Sequence, residues 1–240
     1  MMANSEKLQV KTVEEFFHQP EEFQTSIRKI VQSHAVNELY GSQVFDEPAI
    51  ALAPTPYAKW LTCRVAMEEY GHHVRFAELG EAIGIPHEDL LPRFGGKRPL
   101  SIFDFAMRTW PEFCVLKLLG DLAEILQVED LIQCSFHPLR NLARMTMPEE
   151  RFHAQFGEDF CTDLIQKDET REQVQGAIDR IYPLLPAFFG AAKSRNNTIF
   201  RKWHIKVRTN EAMREDYVRR AHQLVAKLGL DLPEAADASA

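Results

Sequence analysis

The chain has little glycine, 11 residues in 240, and only four cysteines, Cys63, Cys114, Cys134 and Cys161, set far apart. None forms a Cys-x-x-Cys pair, which argues against a disulfide framework and against a thiolate zinc or iron–sulfur site. No apolar run approaches the roughly 18–20 residues that span a bilayer. The opening residues, MMANSEKLQVKTVEEFF, lack a basic start followed by a long apolar stretch. These absences point to a cytoplasmic protein with no membrane partner. With a net charge of -7 the chain also lacks the broad basic surface that a nucleic-acid partner needs. Its charge is uneven, however: Lys193 to Arg220 carries nine Lys or Arg against three Asp or Glu, leaving -13 on the remainder.

What is present is helical. The segments between Gly and Pro clusters are long and rich in Ala, Leu, Glu, Arg and Gln. They predict helices over 21–45, 57–83, from 101 or 102 to 126 with a bend at Pro111, 131–165 with kinks or restarts at Pro138 and Pro148, 172–189 and 210–228. Pro48, Pro54 and Pro56 are expected to break the first, Pro92 to Pro99 reads as a linker, and 233–240 as a frayed tail. The expectation is one all-α domain over 1–240, ordered from about 21 to 230: an antiparallel four-helix bundle with additional C-terminal helices. Trp60, Trp110 and Trp203 are assigned mostly to the core. A chain this long buries roughly 70–75% of its unfolded surface, so a metal would serve chemistry and not folding.

Two segments carry that chemistry: AMEEYGHH, Ala66 to His73, and MPEERFH, Met147 to His153. Each holds Glu-x-x-His, Glu69 with His72 and Glu150 with His153, and i,i+3 spacing puts an oxygen and a nitrogen on one helix face. Spacing alone is weak, since 23 Glu and nine His yield about one such pair by chance, and Glu15 with His18 is taken as that accident. Order supplies the specificity. A carboxylate-bridged bundle needs a lone Glu, Glu-x-x-His, a lone carboxylate and Glu-x-x-His on successive helices. The sequence offers Glu38, then Glu69 and His72, then a third-helix carboxylate, then Glu150 and His153. Among Glu112, Asp121 and Glu124, Asp121 is preferred because Leu118 and Ile125 share its face, and Glu124 is held in reserve. Four carboxylates and two neutral imidazoles match two Fe(II) ions in charge. His73 lies about 100° around the helix from His72 and is read as a neighbour. His34, one turn before Glu38, is assigned to packing ahead of an outer-sphere role.

Around these residues, SHAVNELYGSQ, VAMEEYGHHVRFAELGEAIG, KLLGDLAE and MPEERFHAQFGED, followed by RKWHIKVRTNEAMREDYV and LGLDLP, the chain resembles the phenylacetate-catabolism family of ferritin-like di-iron proteins, in particular its catalytic subunits. The resemblance covers roughly Ile27 to Pro233. It implies an oxygenase that activates O2 at two irons and inserts one atom into the ring of an aromatic acyl-CoA, of the phenylacetyl-CoA 1,2-epoxidase type. It also implies a flavin and iron–sulfur reductase, a small subunit and a homologous scaffold subunit, hence an oligomer. No flavin fingerprint or cluster-binding cysteines occur in this chain, so electrons must come from elsewhere. The basic residues Lys193, Arg201, Lys202, Lys206 and Arg208 are candidates for CoA phosphates, and a solvated or partner-facing helix is the equal alternative. Two rival readings are a di-iron hydroxylase or N-oxygenase acting on a small molecule other than a CoA thioester, and an iron-storage or electron-transfer protein.

Overall fold

The computed structural model describes residues 8–93 and 100–234, and among them regular structure is helical apart from one parallel bridge between Val10 and Phe136. In chain order the helices are α1 (Val13–Phe17), α2 (Glu21–Gly41), α3 (Glu47–Leu52), α4 (Pro56–Ala82), α5 (Trp110–Val115), α6 (Asp121–Leu131), α7 (His137–Leu164), α8 (Asp168–Ile181), α9 (Arg195–Lys202) and α10 (Asn210–Lys227). Two wide π-turns, Ser42–Asp46 and Leu116–Gly120, join α2 to α3 and α5 to α6 without a break.

Several boundaries differ from the sequence expectation. Pro48 does not end the first helix, because it sits in the first turn of α3, where its missing N–H costs nothing. The third helix starts later than Ser101: Ser101–Asp104 is a single 3-10 turn, and α5 begins behind Thr109, whose hydroxyl and the Glu112 carboxylate form a capping box. Pro111 therefore lies in a first turn and makes no bend. Likewise Pro138 opens α7, whereas Pro148 is carried inside it with no interruption. The fifth helix stops at Ile181 and gives way to two 3-10 turns, Tyr182–Leu184 and Pro186–Phe189, and α9 rises within the basic stretch unannounced. Order begins well before residue 21: Val10 and Phe16 are fully buried, and Val10 exchanges backbone hydrogen bonds with Ser135 and His137. Trp60 is 62% exposed, not core, while Trp110 is buried. The linker reading from residue 94 to 99 and the tail reading from 235 to 240 fall outside the described residues.

The bundle consists of two antiparallel hairpins, α2 with α4 and α5–α6 with α7, a ferritin-like arrangement. In the first, the Arg28 guanidinium donates to Ile83 O near one end of α2 and α4, and His73 donates to Ala35 O further along, both within 2.9 Å. In the second, α7 lies against the π-turn so tightly that a Cβ on Gly157 would stand 2.3 Å from Leu118 N. Only glycine permits that approach of backbones. The inward stripe of α7 runs Leu139, Leu142, Ala143, Thr146, Met147, Glu150, His153, Phe156 and Gly157, a 3–4 spacing that turns two ionisable residues into the core along with the apolar ones. On α4 the same spacing buries Thr62, Val65, Glu69, His72 and Phe76.

Candidate metal centre

The inward stripes bring Glu38 from α2, Glu69 and His72 from α4, Asp121 from α6, and Glu150 and His153 from α7 into one cluster. His72 Nδ1 lies 3.1 Å from Glu150 Oε1, 3.3 Å from Glu69 Oε2 and 3.7 Å from Glu38 Oε2. His153 Nδ1 lies 3.1 Å from Glu69 Oε1 and 3.9 Å from Glu150 Oε2. The donors divide into two groups, Glu38, Glu69, His72 and Glu150 around one point, and Glu69, Asp121 and His153 around another. Glu69 belongs to both.

The outer ring nitrogens fix the tautomers. His72 Nε2 is 2.9 Å from Glu149, and His153 Nε2 is 2.9 Å from Glu68. A carboxylate only accepts, so both Nε2 atoms donate, and in the neutral ring each Nδ1 then turns a lone pair toward the cluster. Each outer glutamate is anchored in turn by an arginine, Arg75 to Glu149 and Arg64 to Glu68. Among the described residues His72 Nδ1, His153 Nδ1 and Asp121 Oδ2 are buried without a hydrogen-bond partner. Unpaired buried acceptors facing one another are costly, and a pair of divalent cations removes the cost for all of them at once. The donor set therefore fits two such ions, with the outer glutamates in the orienting role that partners of metal-bound histidines take.

Protons compete for the same atoms. Burial pushes the Glu150 carboxyl up to about 7 against the pull of His72, and burial also holds Asp121 well above the usual carboxylate range. For His153 burial pulls downward, but Glu69 and Glu68 carry it up to about 10. Protons thus balance part of the negative charge that the carboxylates bring together.

Five further residues border the cluster: sequence patterning passed over Lys117, Glu68 and Glu149, assigned His34 to packing and held Glu124 in reserve. Lys117 Nζ is buried, 2.6 Å from Glu69 Oε1, 3.0 Å from Asp46 Oδ1 and 3.6 Å from Asp121 Oδ1. Glu68 and Glu149 form the outer pairs already described. His34 and Glu124 also lie here: His34 stacks on Phe76 and places Nδ1 3.4 Å from Glu124 and 3.8 Å from Glu38. Glu124 thus forms a third group of potential donors with His34 and Glu38, while Asp121 is grouped with Glu69 and His153. Glu112 is elsewhere, tied to its cap and to Arg180, and Glu15 accepts from Lys11 N–H on the surface. His73 bonds to Ala35 O and takes no part.

A cavity of about 100 Å³ opens beside the cluster, walled by Phe45, Ile102, Phe103, Leu116, Leu185 and Phe188 and floored by Glu38, Glu69, Asp121 and Glu150. Residues of both π-turns line it. A second cavity of about 400 Å³ shares Asn37, Glu124 and Phe188 with the first and reaches Lys29, Ser194, Asn196 and Lys206. Of the basic residues, Lys206 lines this outer cavity and donates to Gln127. Arg208 is committed to Asp130 and Asp216, Lys202 to Glu22, and Lys193 and Arg201 are exposed.

Two antiparallel helical hairpins holding a carboxylate–histidine cluster at their centre define a protein of the ferritin-like type. Residues 7–240 match the family described as phenylacetic acid catabolic protein, and the chain belongs to it. It is similar to the A subunit of the 1,2-phenylacetyl-CoA epoxidase of Escherichia coli (strain K12), with 28% identity over 244 residues that span 97% of this chain and 78% of the relative. Among the described residues no helix is long and apolar enough to cross a membrane.

Proposed function

We propose that the chain is the oxygen-activating subunit of a multicomponent di-iron oxygenase that inserts one atom of O2 into the ring of an aromatic acyl-CoA, of the phenylacetyl-CoA 1,2-epoxidase type. The observation that carries this reading is the cluster of four carboxylates and two Nδ1 lone pairs forming the floor of an aromatic-walled cavity. Family membership supports the substrate class. Glu38, Glu69, His72 and Glu150 would hold one iron and Glu69, Asp121 and His153 the other. When bound, the irons supply the electrons that activate O2.

The chain's own residues do the rest. Phe45, Phe103 and Phe188 exclude water and hold the substrate ring above the carboxylate floor, in a space of the same order as the ~150 Å³ that accepts benzene in an engineered cavity. The outer cavity gives the thioester arm a way out, past Asn37 and Phe188, toward Lys206, and the exposed Lys193 and Arg201 adjoin its lining residues Ser194 and Phe200 in sequence. These cations are the proposed phosphate contacts, with Arg208 and Lys202 held back by their carboxylate partners. Cys63, Cys114, Cys134 and Cys161 are free, and among the described residues none joins a group of three or more potential metal donors, so in this reading electrons come from a separate flavin and iron–sulfur reductase. A small subunit, together with a scaffold subunit, completes the proposed assembly in the cytoplasm.

Iron-loaded protein given reductant, ¹⁸O2 and phenylacetyl-CoA should yield a thioester bearing one labelled oxygen on its ring. Labelling of small aromatic acids or amines, with the thioester untouched, would transfer the reading to a hydroxylase or N-oxygenase on non-CoA substrates.

A further inference from the structure

Lys117 is the one lysine or arginine within 4 Å of the donor cluster that belongs to no outer histidine pair among the described residues. It projects from the π-turn Leu116–Gly120, and its partner Asp46 projects from the π-turn Ser42–Asp46, so two irregular turns aim a buried ion pair at the same place. The aim is unsymmetrical. The ammonium hydrogen-bonds Glu69 Oε1, the oxygen that faces His153, and it is 3.6 Å from Asp121. Both belong to the three-donor group. The four-donor group uses Glu69 Oε2, and the cationic group nearest to it, His34, stands farther off, 3.8 Å from Glu38, and is shared with Glu124 at 3.4 Å.

Resting on the reading of the cluster as a dinuclear metal centre, we infer that the two positions fill in order and with unequal affinity, the His72 position first and the His153 position second, because Lys117 already supplies positive charge to the second. A metal entering there must meet the repulsion of an ammonium a few ångströms away and share a carboxylate oxygen with it. At an effective dielectric of about 20, a unit charge at such a distance changes binding by more than tenfold. At limiting metal the protein therefore collects as a singly loaded form, not as a mixture of empty and full molecules. The unequal donor count alone also favours order, and Lys117 is the part that substitution isolates.

Anaerobic titration of the full-length, metal-free protein with Mn(II), followed by electron paramagnetic resonance, separates these cases. Wild type should show an isolated-ion signal that rises over the first equivalent and is replaced by a coupled-pair signal over the second. Lys117→Met should tighten the second step by at least about tenfold. Because that change leaves Asp46 buried without its cation, Asp46→Asn with Lys117→Met provides a neutral pair that keeps the packing, and it should show the same convergence of the two steps. Coupled pairs appearing from the first addition, or a second step that is unchanged or weakened in both variants, would overturn the inference while leaving the dinuclear reading intact. No Mn(II) binding in any of them would overturn both.

Discussion

Two buried charge networks lie toward opposite ends of α6, and they are built on opposite plans. At its C-terminal end, Asp130 is fully buried, yet its oxygens accept from Val207 N–H, Arg208 N–H and the Arg208 guanidinium. Glu129, Asp216 and Arg220 extend the set, and the Arg208 guanidinium also caps Leu126 O. At the start of the same helix, Asp121 leaves an oxygen unpartnered and is grouped with the His153 imidazole, whose Nδ1 is in the same condition, as is His72 Nδ1 in the neighbouring group. A network with every polar atom satisfied fastens α6 to the segment before α10. One with orphaned atoms converging on two points holds a place for something that binds.

The sharpest break of that contrast is Glu69→Ala. Because Glu69 is the donor common to both groups, its loss should abolish loading of two ions, while circular dichroism shows the helices retained, since a chain of this size does not depend on metal for its core. Asp130→Ala should do the reverse. Removing the acceptor strands the Arg208 guanidinium and two backbone N–H groups, lowering unfolding stability by about 3 kcal/mol in a denaturant titration, with metal content unchanged.

A smaller effect follows at the outer glutamates. Glu149→Ala and Glu68→Ala should each weaken metal binding by roughly 10–100-fold, because His72 and His153 then lose the acceptors that fix their tautomers. Equilibrium binding of Mn(II) reads this directly. The smallest change is with pH. Metal binds deprotonated carboxylate and neutral imidazole, so ions must displace protons from Glu150, held up to about 7 by burial, and from His153, carried up to about 10 against burial by Glu69 and Glu68. Affinity should accordingly rise as pH increases through 7 and toward 10, with proton release visible as a dependence of binding enthalpy on the buffer.

Five of the six candidate ligands follow from a local rule, since i,i+3 spacing pairs Glu69 with His72 and Glu150 with His153 and the apolar neighbours Leu118 and Ile125 turn Asp121 inward, whereas Glu38 follows only from the order of ligands along successive helices. Lys117 and Asp46 are not legible in this way, since both belong to π-turns, where one extra residue per turn shifts the facing that a 3.6-residue period predicts. A lysine inside the apolar run VLKLLG is the available signal. Glu68 and Glu149 have one too. Each stands immediately before a ligand glutamate, as a repeated Glu-Glu-x-x-His, and each reaches across to the histidine of the other helix. The helix boundaries misread around Pro48, Pro111 and Pro138 share one cause: proline fits a first helical turn as readily as it ends a helix, and of the three only Pro111 follows a side-chain cap, Thr109.

The most direct test of the central claim is a count of iron bound per chain after anaerobic loading with Fe(II) and removal of excess, made on wild type beside His72→Ala and His153→Ala. A dinuclear centre gives about two per wild-type chain and about one in each histidine variant. Fewer than one in wild type, or two retained in both variants, would contradict it.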